Sequence, residues 1–121
     1  MKNMAQNFAS VTAQLGTGTT TLYTNASSSP TSADAIIGIR MANILTTAIT
    51  ISVFLSPTGS GTVYIAKDLS IPPNSSVELV QGGAKFVLND TDVLKATSSA
   101  ATSTDVVVSL VKAISTTSYD L

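Results

Sequence analysis

The side chains of this chain that could do acid–base or nucleophilic chemistry are carboxylates, amines and phenols. The sequence contains seven Asp and Glu residues, six Lys and Arg residues and three Tyr residues, but no His and no Cys. Catalysis near neutral pH usually depends on an imidazole, a thiolate or a metal bound by them, because these groups titrate or coordinate near pH 7. The sequence therefore predicts a protein that presents surfaces and is not an enzyme. It predicts no catalytic residue and no cofactor.

The densest group of oxygen ligands is Asn-Asp-Thr-Asp at 89–92, which could begin a calcium site. A complete site needs more ligands, and the one glutamate, Glu78, lies outside this segment. Asn and Asp also hydrogen-bond the backbone of turns, which accounts for the cluster, so we predict a turn and no metal. Carboxylate pairs can cleave glycosidic bonds, but nothing in the sequence selects a pair.

The charge of the chain excludes two classes of partner. Its formal net charge is −1, and the basic residues are scattered along the chain. Nucleic-acid binding and binding to anionic membranes both require clustered Lys and Arg, so neither is predicted. The first eight residues contain no apolar stretch like that of a signal peptide. We therefore expect synthesis in a reducing cytoplasm.

Short runs of Ile, Val and Leu alternate with Ser and Thr along most of the sequence. A period of two is typical of strands with one buried face and one solvated face. The clearest runs are 35–43 and 48–55, and the short polar connection between them predicts an antiparallel hairpin. Further predicted strands lie at 8–15, 20–24, 62–66, 68–71, 76–80, 85–88, 92–97 and 104–114.

The alternation also predicts which side chains face inward. In the first run Ile37, Ile39 and Met41 share the predicted core face, with Gly38, Arg40 and Ala42 opposite. In the second run the predicted core residues are Ile49, Ile51, Val53 and Leu55, with Thr50, Ser52 and Phe54 opposite. In the last strand the core face is predicted to carry Val106, Val108 and Leu110, and the other face Val107, Ser109 and Val111.

Four residues on predicted outward faces are candidates for contacts between subunits. They are Phe54, Tyr64, Val107 and Val111. Apolar residues on both faces of 104–114 indicate a central strand, or a strand whose outer face is covered by a neighbour.

These segments predict one all-β domain at 8–114, with an N-terminal arm at 1–7 and a C-terminal tail at 115–121. Eight to ten short strands without a substantial helix are typical of an antiparallel β-sandwich. A jelly roll and an immunoglobulin-like arrangement both satisfy the pattern, and a barrel is the remaining alternative.

The segment 21–111 resembles small virion proteins of tailed bacteriophages, in particular phages of marine bacteria. The matching stretches are TLYT at 21–24, IIGIRMAN at 36–43, ITISV at 49–53, IPPNSSVEL at 71–79, the block from GGAK at 82–85 to DVLKA at 92–96, and DVVVS at 105–109. The resemblance implies an accessory capsid, neck, tail or baseplate component of a virion made in the bacterial cytoplasm. It supplies no active-site residues.

The leading functional hypothesis from the sequence is a capsid decoration protein. It would form a homo-oligomer, with a trimer as one candidate, and bind the major capsid protein. A tail, neck or baseplate subunit is the alternative within the same class. A glycan-binding receptor module, with Tyr64 as a stacking platform, is the alternative from another class.

Overall fold

Antiparallel strands make up most of the chain in the computed structural model, which describes residues 7–25, 32–57, 61–80, 85–89 and 91–115. The strands are β1 (Asn7–Leu15), β2 (Thr20–Thr24), β3 (Ser32–Asn43), β4 (Ile49–Ser56), β5 (Val63–Ile71), β6 (Ser76–Glu78), β7 (Phe86–Leu88), β8 (Val93–Ser98) and β9 (Thr104–Ser115). No helix occurs in these ranges. The all-β prediction is confirmed.

The strands form two sheets that pack face to face. Sheet 1 has the order β1-β9-β3-β6, and β7 pairs with β3 further along the same edge as β6. Sheet 2 has the order β2-β8-β4-β5. The inner faces of the two sheets cover each other, and their side chains form one apolar core. The predicted β-sandwich is therefore confirmed.

The pairings identify the arrangement as a jelly roll. β4 pairs with β5, β3 with β6 and β7, β2 with β8, and β1 with β9, so the chain forms one long hairpin folded about the β4–β5 turn. Two further pairings, β3 with β9 and β4 with β8, wind this hairpin into two sheets. An immunoglobulin domain keeps its first two strands in one sheet, whereas β1 and β2 here lie in different sheets.

The predicted hairpin between 35–43 and 48–55 is wrong, because β3 lies in sheet 1 and β4 in sheet 2. The connection crosses between the sheets, and the buried side chain of Asn43 holds it. Asn43 Nδ2 donates to the carbonyl oxygens of Thr47 (2.8 Å) and Ile71 (3.1 Å), and Asn43 Oδ1 accepts from the amide of Leu45 (2.9 Å). Because the β3–β4 connection crosses between the sheets, the apolar side chains of β3 and β4 face each other across the core. As neighbours in one sheet, the two strands would instead point these side chains to the same side.

The core contains most of the residues predicted for it. Ile39, Met41, Ile49, Ile51 and Val53 are buried, and Leu55 is half-buried. The core row of β9 is also as predicted, since Val106, Val108 and Leu110 are buried. Other large side chains with almost no exposed surface are Leu15, Ile36, Ile71, Leu88 and Leu94.

Ile37 is the exception, because it is exposed and Ile36 is buried in its stead. The register of β3 against β9 shifts between Ile36 and Gly38, so Ile37 is the extra residue of a β-bulge. A bulge changes which residues face the core on its two sides. Strict alternation through 36–41 could not anticipate this change of phase.

β5 is a single strand, although the sequence predicts two fragments at 62–66 and 68–71. Opposite β4 the register shifts twice, and Asp68 has a φ of 53°, in the left-handed region that Asp tolerates better than most residues. The amide of Asp68 donates to Ser52 Oγ at 3.0 Å. The irregular backbone around Lys67 and Asp68 explains why the alternation breaks there without ending the strand.

The predicted arm at 1–7 and tail at 115–121 lie outside the described residues, except for Asn7, which begins β1, and Ser115, which ends β9. The domain boundaries therefore stay predictions.

One pair of substitutions tests the faces of β4. Ile51→Asp is expected to lower the free energy of unfolding by about 4 kcal/mol, because it buries a charge without a partner. Thr50→Asp, on the opposite face, is expected to cost less than about 1 kcal/mol. Urea denaturation of the two variants measures both values. Equal losses would show that the two faces of β4 are equally covered.

Candidate assembly surfaces

The four residues predicted to contact other subunits lie on two opposite surfaces. Phe54 and Tyr64 belong to the outer face of sheet 2, and Val107 and Val111 belong to the outer face of sheet 1. Here the outer face of a sheet is the side turned away from the other sheet. The residues therefore form two separate candidate surfaces.

The outer face of sheet 1 carries an apolar row that crosses four strands. Phe8 of β1 is the cross-strand neighbour of Val111, Val111 is the neighbour of Ala35, and Ala35 is the neighbour of Val87. Directly opposed residues of an antiparallel sheet lie on the same face. Phe8 is 78% exposed and Val87 is 52% exposed, whereas Val111 and Ala35 are buried between them. We call these four residues the apolar row.

The other side chains of this face are mostly small, carry a hydroxyl group, or are charged. Val107 is 42% exposed and lies between Thr12 and Arg40 in the register. Between Val107 and the apolar row, Ser10, Ser109 and Gly38 form a row of small residues. The outer face of sheet 1 is thus a mixed surface on which apolar and hydroxyl side chains alternate.

The charged groups of the outer face of sheet 1 interact with partners in the same chain. Arg40 Nε lies 3.9 Å from Glu78 Oε1. Glu78 Oε2 accepts hydrogen bonds from the amides of Ile39 (2.7 Å) and Val80 (3.2 Å). Asp105 Oδ1 accepts from Gln14 Nε2 at 2.9 Å. When such a face is buried in an interface, the desolvation of its charged groups costs less free energy than the desolvation of charges that have no partner.

Phe8 and Val87, two of the most exposed apolar residues of this face, were missed among the interface candidates. Phe8 could have been found, because the alternation of 8–15 puts it on the same face as Ser10 and Thr12. Val87 lies in a strand of three residues, which is too short to show an alternation. Its face depends on pairing with β3 and is therefore a property of the tertiary structure.

The outer face of sheet 2 is more polar. Its register brings together hydroxyl side chains from all four strands, namely Thr21, Thr24, Thr50, Ser52, Ser56, Ser70 and Thr97. Phe54 is also on this face but is only 9% exposed, and its ring centroid lies 5.4 Å from that of Tyr64. The apolar surface of Phe54 is therefore largely covered within the chain.

Tyr64 is 48% exposed, but other side chains already contact its ring. The ammonium of Lys67 lies 5.5 Å from the ring centroid, a cation–π geometry, and Phe54 packs against the ring at an angle of 57°. A sugar that stacked on Tyr64 would compete with these contacts. The geometry therefore does not favour the glycan-binding alternative.

A partly buried polar pair lies between the sheets. The hydroxyl of Tyr23, in β2, donates to Asp34 Oδ2 of β3 at 2.5 Å, and the ammonium of Lys112 lies 5.9 Å from the centroid of the Tyr23 ring. Burial raises the pKa of the Tyr23 phenol well above its usual value, and the hydrogen bond to Asp34 and the negative charge of Asp34 raise this pKa further. The pair joins the two sheets.

The acidic segment at 89–92 is part of a turn. The amide of Asn89 donates to Asp92 Oδ2 (2.9 Å), and the amide of Asp92 donates to the Asn89 carbonyl oxygen (3.0 Å). Asp90 lies outside the described residues. Among the residues that the structure describes, no three His, Cys, Asp or Glu side chains come together as a metal site. The same part of the chain has no helix with the length and hydropathy of a membrane span.

Comparisons with known proteins show a shared fold. No protein-family model matches the chain, and no curated protein sequence matches it. A chain from Bacillus endospore appendages, described as a novel family of disulfide-linked pili, is 18% identical with a TM-score of 0.52, over 92% of this chain and 88% of the other. A chain of the acidic stable capsid structure of Helicobacter pylori bacteriophage KHP30 is 12% identical with a TM-score of 0.53, over 88% and 86%.

A chain of the infectious bursal disease virus Gx strain is also similar. It is 12% identical with a TM-score of 0.54, over 89% of this chain but 32% of the viral chain. The present chain therefore spans about a third of that viral protein. At these identities the likeness concerns the fold.

The Tyr23–Asp34 pair predicts how stability changes in alkali. The pKa of Tyr23 is higher in the folded protein than in the unfolded chain, where it is about 10. The contribution of Tyr23 to the free energy of unfolding is therefore fully present below pH 10 and is lost as the pH rises above that value. Tyr23→Phe is expected to lower the free energy of unfolding by about 2 kcal/mol at pH 7, and to make its decline above pH 10 shallower. Denaturation of both proteins from pH 7 to 11 measures this. Parallel curves would contradict the assignment.

Proposed function

We propose that this chain is a non-enzymatic structural subunit of a tailed-bacteriophage virion, and specifically a capsid decoration protein. It forms homo-oligomers and binds the major capsid protein, and it is made in the cytoplasm of the host bacterium. The observation that carries the proposal is the outer face of sheet 1. That face combines an apolar row with Arg40 and Asp105, whose side chains contact Glu78 and Gln14 of the same chain, as expected of a surface that becomes buried between protein subunits.

Two further findings support this proposal. Chains with the same fold come from a bacteriophage capsid structure and from bacterial pili, and both are assemblies of protein subunits. The resemblance of 21–111 to small phage virion proteins indicates the phage class. The pili are described as disulfide-linked, whereas this chain has no cysteine with which to form such a link.

Copy number separates a decoration protein from a subunit of the tail, neck or baseplate. A protein that covers the shell follows the symmetry of the capsid lattice, so its copies are comparable in number to those of the major capsid protein. Quantitative mass spectrometry of purified particles measures the ratio directly. A few copies per particle would contradict decoration and support the tail, neck or baseplate alternative.

Val107→Lys tests the outer face of sheet 1 as the surface that binds the particle. Val107 is exposed, but a lysine there lies opposite Arg40, so the free energy of unfolding is expected to fall by less than about 1 kcal/mol. Binding to particles that lack the protein is expected to weaken about tenfold or more, because the ammonium loses water in the contact.

Thr21→Lys is the matched control, since it adds the same charge to the outer face of sheet 2. It is expected to leave particle binding unchanged. An equal loss of binding in both variants would point to a general effect of charge and would contradict the assignment of this face.

A further inference from the structure

The four edges of the two sheets differ in how well they are protected against pairing with another strand. Exposed edge strands offer unpaired backbone donors and acceptors, and proteins usually block them with bulges, charges or very short strands. β5 is bulged and carries Lys67 and Asp68, and β2 has five residues and a register shift. β6 and β7 have three residues each. Three of the four edges are therefore protected.

β1 has none of these devices. It has nine residues, its register with β9 runs without a shift from Asn7↔Lys112 to Leu15↔Thr104, and it contains no charged residue and no proline. No described strand pairs with its other edge. The side chains of its outer face, Phe8, Ser10, Thr12 and Gln14, are exposed. β1 is thus a long, regular and uncharged edge.

We propose that β1 pairs with β1 of a second copy of this chain, in antiparallel orientation about a two-fold axis at Val11. Full overlap of two nine-residue strands that run from 7 to 15 puts Val11 opposite Val11 and Ser10 opposite Thr12 of the other copy. A uniform edge of nine residues matches another of the same kind, whereas the bulged or short edges of this chain would leave part of β1 unpaired. Because β1 is uncharged, self-pairing opposes no like charges within the strand.

The pairing joins sheet 1 of the two copies into one continuous sheet. A two-fold axis perpendicular to the sheet keeps both outer faces on the same side, so the two apolar rows become parts of one larger surface. A ring of three closed by strand pairing would instead require β1 to pair with a different edge, and each of those is bulged or short. The proposal goes beyond the proposed function, because it holds for any assembly that contains this chain.

Charge substitutions at positions 10 and 12 test both the pairing and its register. Both residues are exposed on the outer face of sheet 1. The double variant Ser10→Lys with Thr12→Lys puts lysines opposite each other twice across the axis, and it is expected to weaken the dimer about tenfold. The matched control Ser10→Lys with Thr12→Glu puts opposite charges there and is expected to dimerise at least as tightly as the unchanged protein.

Sedimentation velocity over a concentration series measures the dimer, and amide hydrogen exchange shows whether β1 amides lose protection when it dissociates. A monomeric or trimeric unchanged protein, or equal dimerisation of both double variants, would overturn the proposal. Unfolding curves of the variants show that each is folded. Val107 lies on β9 and not at this edge, so the Val107→Lys variant is expected to retain the dimer. Loss of particle binding and loss of dimerisation can therefore be observed separately.

Discussion

The pairing of β3 with β9 is the interaction on which the rest of the fold depends. The two longest strands run side by side over twelve residues each, and β9 also pairs with β1 along its other side. Together with the β4–β8 pairing, the β3–β9 pairing converts one long hairpin into two packed sheets. With it, β3 and β9 form the centre of sheet 1, and their core rows lie over those of β4 and β8. The four sheet edges and the two outer faces exist because this winding occurs.

Polar residues that lie between the sheets hold the two ends of the sandwich. At one end Asn43 joins the β3–β4 connection to β5, and the hydroxyls of Ser98 and Ser103 lie 2.6 Å apart. At the other end Tyr23 and Asp34 join β2 to β3, and Asn25 Nδ2 donates to the Leu88 carbonyl oxygen at 2.7 Å. In the described ranges no buried side-chain nitrogen or oxygen lacks a hydrogen-bond partner. The many short polar residues of this chain therefore serve the interior as well as the surface.

The surfaces of the molecule divide according to the chemistry of their side chains. The outer face of sheet 2 is lined with hydroxyls, and its aromatic residues Phe54 and Tyr64 contact each other. The outer face of sheet 1 exposes Phe8, Val87 and Val107. β1 borders that face and is also the unprotected edge. Among the described residues, one region of the molecule thus combines exposed apolar side chains with a sheet edge that pairs with no other strand.

The amino-acid sequence is enough to predict strands with a period of two, and with them the all-β class, the β-sandwich and the core rows of β4 and β9. These follow from local alternation, because neighbouring side chains of a strand point to opposite faces. The tertiary structure decided which strands pair, and so overturned the hairpin of 35–43 with 48–55 and distinguished a jelly roll from an immunoglobulin-like order. The bulge at Ile37, the packing of Tyr64 against Phe54 and the exposure of Val87 also depend on the tertiary structure. Each of these depends on residues far apart in the chain, and local alternation carries no information about which distant strand lies alongside.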